Sequence, residues 1–115
     1  MTKKRRRAQR PLPVRTVARA DGVLALEVAN VTQSVTLPAD PSSPFEGYWP
    51  LMLPVNCPRQ ALLLGLGGGT LAALLARRCP GVAMVGIEHS AEVLVVARRD
   101  FGLDALAGLH VVEAD

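Results

Sequence analysis

The run Gly65-Leu66-Gly67-Gly68-Gly69 constrains this chain more than any other feature, because it separates the wholly apolar Leu62-Leu63-Leu64 from a stretch with helical spacing. Glycine accepts positive φ and lets a backbone approach a ligand with no Cβ in between. The amides that open the following helix lack intrahelical partners and carry partial positive charge. A strand, a glycine turn and a helix in that order form the ligand-holding corner of open parallel α/β sheets. Close packing alone is the competing explanation, and the strand-to-helix context argues against it. No Lys-Ser/Thr pair follows, so the loop is not a phosphate-binding P-loop. Gly67 and Gly69 stand only two apart, whereas a nicotinamide dinucleotide fingerprint separates its second and third glycines by two intervening residues.

Periodicity extends the pattern in both directions. A short apolar strand is predicted over 61–64. A helix over 71–78 sets Leu71, Leu74 and Leu75 on one face, and Cys79-Pro80-Gly81 stops it. A second apolar strand covers 82–87. Ser90 is placed to N-cap a helix reaching about residue 101, with Val93, Leu94, Ala97 and Phe101 inward. Gly102 ends that helix, and a third strand is predicted over 109–113. This βαβαβ order implies right-handed crossovers and a parallel sheet. Upstream, strands are predicted over 16–20, 24–28 and 32–37, with Asp21-Gly22 as a type I′ hairpin turn and Asn30 marking the next turn. Six prolines between 38 and 60 exclude long regular elements there. The expected organisation is a basic disordered leader (1–13), an antiparallel β-meander (14–37), a Pro-rich connector (38–60) and a partial Rossmann-like ligand-binding domain (61–115). The fold class is therefore α/β, the N-terminal half of a Rossmann-like parallel sheet preceded by a small meander.

The net charge of +3 belongs to one end. Residues 1–19 hold eight of the thirteen basic groups and no acid, while all ten acids lie beyond them, so the body is acidic by five. Lys3-Lys4-Arg5-Arg6-Arg7 with Arg10 reads as a solvated terminus, because the stacking aromatics of single-strand binders are absent from it. Nucleic acid is not an expected partner. No apolar segment follows the basic run, so a secretory signal is not expected. The longest uncharged stretch of the second half, 60–76, is glycine-broken and shorter than the ~20 residues of a spanning helix, so no membrane association is expected. Cys57 and Cys79 form neither a CxxC pair nor a metal-ligand cluster. They are expected to be two free thiols in a reducing, cytoplasmic compartment, and no metal is expected.

Glu88 ends the second predicted strand, 23 residues after Gly65. A carboxylate at that place can accept both hydroxyls of a ribose. Asp115 ends the third strand on the same sheet edge and is equally read as an adenine contact or a frayed terminus. Tyr48 and Trp49 either pack the two parts together or contact ligand. His89 is placed beside Glu88 in the loop, and His110 is expected as a buried ring in the third strand. Neither has a partner acid, Ser or Cys at recognisable spacing, so no catalytic residue is assigned.

Residues 61–103, ALLLGLGGGTLAALLARRCPGVAMVGIEHSAEVLVVARRDFGL, resemble the spermidine synthase (polyamine aminopropyltransferase) family, which has the class I methyltransferase-like fold. VVEAD (111–115) is similar to the family's next strand. Gln33-Ser34-Val35 with Tyr48 looks like the junction to its N-terminal β-domain. The resemblance implies S-adenosylmethionine or decarboxylated S-adenosylmethionine as co-substrate and a small-molecule amine as acceptor. It implies Gly65, Gly67, Gly68 and Gly69 around the aminopropyl or amino-acid end, Glu88 on the ribose and Asp115 on the adenine, with Gln33 and Tyr48 facing the acceptor. A homodimer stays open. Two departures stand out. Tyr48 is followed by Trp49-Pro50-Leu51 where the family has an acid, and Ser90 replaces the family's Asp. The family's amine-deprotonating acid lies beyond the next strand, so the chain is expected to be truncated, with its first parallel strand unpaired on the outer side and little turnover. The alternatives are an S-adenosylmethionine-dependent methyltransferase and a non-catalytic ligand-binding or interaction fragment.

Overall fold

The computed structural model describes residues 12–40 and 47–114. Lys3 through Arg10 and Asp115 lie outside the described residues, as does 41–46 of the connector. Two three-stranded sheets follow one another. The first is antiparallel, β1 (Val14–Ala18), β2 (Leu24–Val28) and β3 (Val31–Val35), in the order β1-β2-β3. The second is parallel, β4 (Gln60–Leu64), β5 (Ala83–Glu88) and β6 (Leu109–Glu113), in the order β4-β5-β6. Helices α1 (Thr70–Arg78) and α2 (Ala91–Asp100) make the crossovers. This is the expected α/β, Rossmann-like arrangement.

The hairpin turns differ from expectation. Val28 and Val31 are paired across a two-residue turn whose Ala29 and Asn30 have φ of 50° and 66°. Positive φ at both central positions is the type I′ geometry, which matches the twist of the flanking strands. Asp21-Gly22, expected to form that turn, sits instead in a longer loop. There the Gly22 N–H donates to the Arg19 carbonyl at 3.0 Å, and the Asp21 carboxylate accepts the Val23 N–H at 3.0 Å. The Asp21 side chain thus mimics a turn of backbone, and only Gly22 has positive φ.

Leu63, Met84, Leu75, Ala72, Leu94, Ala97 and Leu103 form the main buried cluster. Both helices therefore lie on one face of the parallel sheet, as successive right-handed crossovers in one direction require. The opposite face is open, with Leu62 62% and Leu64 75% exposed, and among the described residues no strand pairs with the outer edge of β4. His110, expected to be buried, is exposed in β6. Its strand neighbours Leu109 and Val111 pack against the core, and alternation turns His110 to the open face.

The meander is wedged into the α/β half. Leu26 packs with Val93 and Val96 of α2, while Ala25 and Val35 pack with Trp49, Leu71 and Leu74. The Thr16 hydroxyl donates to Asp100 at the end of α2 at 2.6 Å. In the connector, Pro50 starts a single 3-10 turn, Trp49–Met52, which buries Trp49.

Cys57 and Cys79 are joined in a disulfide, with Cα atoms 5.5 Å apart, which corrects the expectation of two free thiols. They stand 22 positions apart in the sequence, and nothing in that spacing shows that the connector passes the end of α1. Such bonds persist in oxidising surroundings, so the pairing lends no support to a reducing compartment. Among the described residues, no helix is long and apolar enough to cross a membrane.

Candidate functional site

The parallel register brings the carboxyl ends of β4 and β5 side by side, with Leu64 opposite Ile87. The chain leaves β4 through a tight turn in which Gly65 and Leu66 both donate N–H bonds to the Ile87 carbonyl, at 2.9 and 3.2 Å. Gly65, Gly67 and Gly69 have φ of 76°, 57° and 87°, values that L side chains rarely adopt. Leu66 turns down onto the sheet, and a Cβ at Gly86 would come within 2.8 Å of its side chain. Gly86 is a contributor that the sequence reading passed over. The bare position in β5 is what lets the loop sit low on the sheet.

Glu88 ends β5 and is 5% exposed. Its Oε1 accepts the Gly67 N–H at 2.9 Å and its Oε2 the Ser90 N–H at 3.0 Å. Two amides thus fix the carboxylate, and each oxygen keeps a further lone-pair direction for another donor. His89 Nδ1 stands 3.4 Å from Oε2 on a ring that is largely exposed. Ser90 caps α2 as expected, its hydroxyl accepting the Val93 N–H at 3.2 Å.

These groups line one cleft of about 860 Å³. Gly65, Gly67, Glu88, Gln33 and Tyr48 all border it. A Cβ on Gly65 would meet no protein atom within 4 Å, so the bare backbone there opens on free space. Tyr48 stacks on Trp49, ring centroids 4.6 Å apart and 24° from parallel, and Met52, Leu62 and Leu64 extend the apolar wall. Gly68 and Gly69 are not on this surface. Gly68 has Ser34 behind it, and Gly69 caps α1 where a Cβ would come 2.7 Å from Leu103. Asp115 lies outside the described residues. No group of three or more His, Cys, Asp or Glu that could hold a metal ion occurs among the described residues.

No family model matches the chain, and no curated protein matches it. Solved structures similar to it include spermidine synthase from Thermotoga maritima, 16% identical with a TM-score of 0.62, over 89% of this chain and 37% of that one. The chain shares its α/β, Rossmann-like fold with that protein. Human Methyltransferase-like protein 13 in complex with SAH is 31% identical with a TM-score of 0.46, over 50% of this chain and 26% of that one. Coclaurine N-methyltransferase bound to N-methylheliamine and SAH is 20% identical with a TM-score of 0.44, over 53% of this chain and 18% of that one. The chain spans only 18% to 37% of the length of these proteins.

Proposed function

We propose that the cleft binds an adenosyl sulfonium compound, S-adenosylmethionine or its decarboxylated form, and that the chain is spermidine synthase-like. The buried Glu88 carboxylate, fixed beside the glycine turn at the carboxyl edge of a parallel sheet, carries this reading. It is placed to accept ribose hydroxyls, while the bare backbone at Gly65 and Gly67 leaves room for the amino-acid or aminopropyl end. The residues present fit such a ligand. It would supply an electrophilic carbon next to a sulfonium, and the part of this chain is to position that carbon and exclude water from it. The sulfonium carries its own positive charge, which suits a cleft whose two acids among the described residues are Glu88 and Glu92.

The parent activity in this reading is aminopropyl transfer to an amine. The apolar and aromatic side of the cleft, with Tyr48, Trp49 and Met52 and no acid among them, favours a second reading, methyl transfer to a less cationic acceptor. Calorimetric titration with S-adenosylhomocysteine, methylthioadenosine and both sulfonium compounds tests both readings. Binding of at least one is expected, and tighter binding of the decarboxylated form would favour aminopropyl transfer. Absence of heat and of amide shift changes with all of them would remove the ligand assignment.

A further inference from the structure

The glycine turn has a back as well as a front. Ser34 in β3 is 2% exposed, and its hydroxyl accepts the Gly68 N–H at 2.8 Å. Beside it the Thr70 hydroxyl donates to the Val35 carbonyl at 2.8 Å and accepts the Val35 N–H at 2.9 Å. Three hydrogen bonds thus stitch the end of β3 to the start of α1. The fit is close: a Cβ on Gly67 would come 2.9 Å from Ser34 Oγ, and one on Gly68 2.8 Å from Ser34 Cβ. Gly68 precedes the helix cap, so its amide takes no part in the helix. Buried without an acceptor, it would drive the turn toward conformations that reach water.

We infer that Ser34 is a positioning residue for the cleft: by holding the Gly68 amide from behind, it fixes the curvature that Gly65 and Gly67 present in front. Ser34 itself borders the cleft, but at 2% exposure it offers a ligand almost no surface, so its contribution to affinity runs through the turn that its hydroxyl holds. This rests on the ligand reading above. In Ser34→Ala the ligand-ready curvature becomes one of several populated forms, and affinity falls by the fraction lost.

The test uses the full chain with S-adenosylhomocysteine as probe. Ser34→Ala is compared with Thr16→Val, which removes another hydrogen bond between the meander and the α/β half, to Asp100, from outside the cleft. Ser34→Ala is expected to raise Kd about tenfold and to speed hydrogen exchange at the Gly68 amide, while Thr16→Val lowers Tm with Kd within about twofold of wild type. An unchanged Kd in folded Ser34→Ala, or equal weakening in both variants, overturns the inference while leaving the ligand reading intact. A wild-type chain that takes up no probe sinks the ligand reading instead, and the inference with it. The wild type also tests the device without any variant, because a Gly68 amide that exchanges as fast as an open-loop amide overturns it.

Discussion

Glu88 Oε1 accepts the Gly67 amide hydrogen at 2.9 Å, so the end of β5 and the glycine turn behave as one unit. The carboxylate shapes the turn and at the same time faces the cleft. Replacing it therefore acts twice, on the turn and on any sugar held there. Glu88→Ala is expected to weaken S-adenosylhomocysteine binding at least about tenfold, and Glu88→Gln, which keeps one acceptor oxygen, by less. Calorimetry on the two variants, each verified as folded, checks the order.

The disulfide encloses β4, the glycine turn and α1 in one covalent loop. Closing a loop of this length restricts the unfolded chain and is worth about 3 kcal/mol. Thermal melts with and without a dithiol reductant are expected to show a clear drop in Tm on reduction, reproduced by the double variant Cys57→Ala/Cys79→Ala. Cys79 is itself part of the main core, so the double variant is expected to melt slightly below the reduced wild type.

Asp100 has its carboxyl held below the usual range, by hydrogen bonding to Arg99 and then to Thr16. A depressed folded-state value stabilises the fold above the unfolded-state value, about 4. That contribution disappears as pH falls through the folded value. Asp100→Asn is therefore expected to melt below wild type at neutral pH, with the gap in Tm closing below about pH 4. Melts across the acid range measure it.

Ala29 occupies a left-handed position, φ 50°, that glycine holds without strain. Ala29→Gly is expected to stabilise the chain by under about 1 kcal/mol, because the greater freedom of glycine in the unfolded state offsets part of the relief. Ala29→Val crowds the same position with a branched side chain and is expected to lower Tm. Denaturant midpoints of the two variants, set against wild type, check the turn assignment.

Much of the fold was legible because it rests on local periodicity. The strands over 24–28 and 109–113 have the expected bounds. Ser90 caps α2 as its position before an apolar helical run requires. In the site, the apolar strand before the glycines and the acid 23 residues later sufficed to bring Gly65, Gly67 and Glu88 to one cleft. What escaped depends on distant pairs. The Asp21-Gly22 signal is strong locally, yet the side-chain bond of Asp21 makes a longer loop and leaves the tight turn to Ala29-Asn30. Ser34 meets Gly68 only once the meander packs on the α/β half, and Cys57 meets Cys79 only once the connector runs past the end of α1. Gly86 reads as a weak strand residue until Leu66 is seen resting on it.

The central strand of the meander is gripped on both sides, Leu26 by α2 and Ala25 by the group around Trp49 and Leu71. The meander cannot come away without stripping its side chains from both helices. Heating should accordingly give a single calorimetric peak whose van't Hoff and calorimetric enthalpies agree, and the chain should behave as one cooperative body rather than two joined by a proline-rich strap.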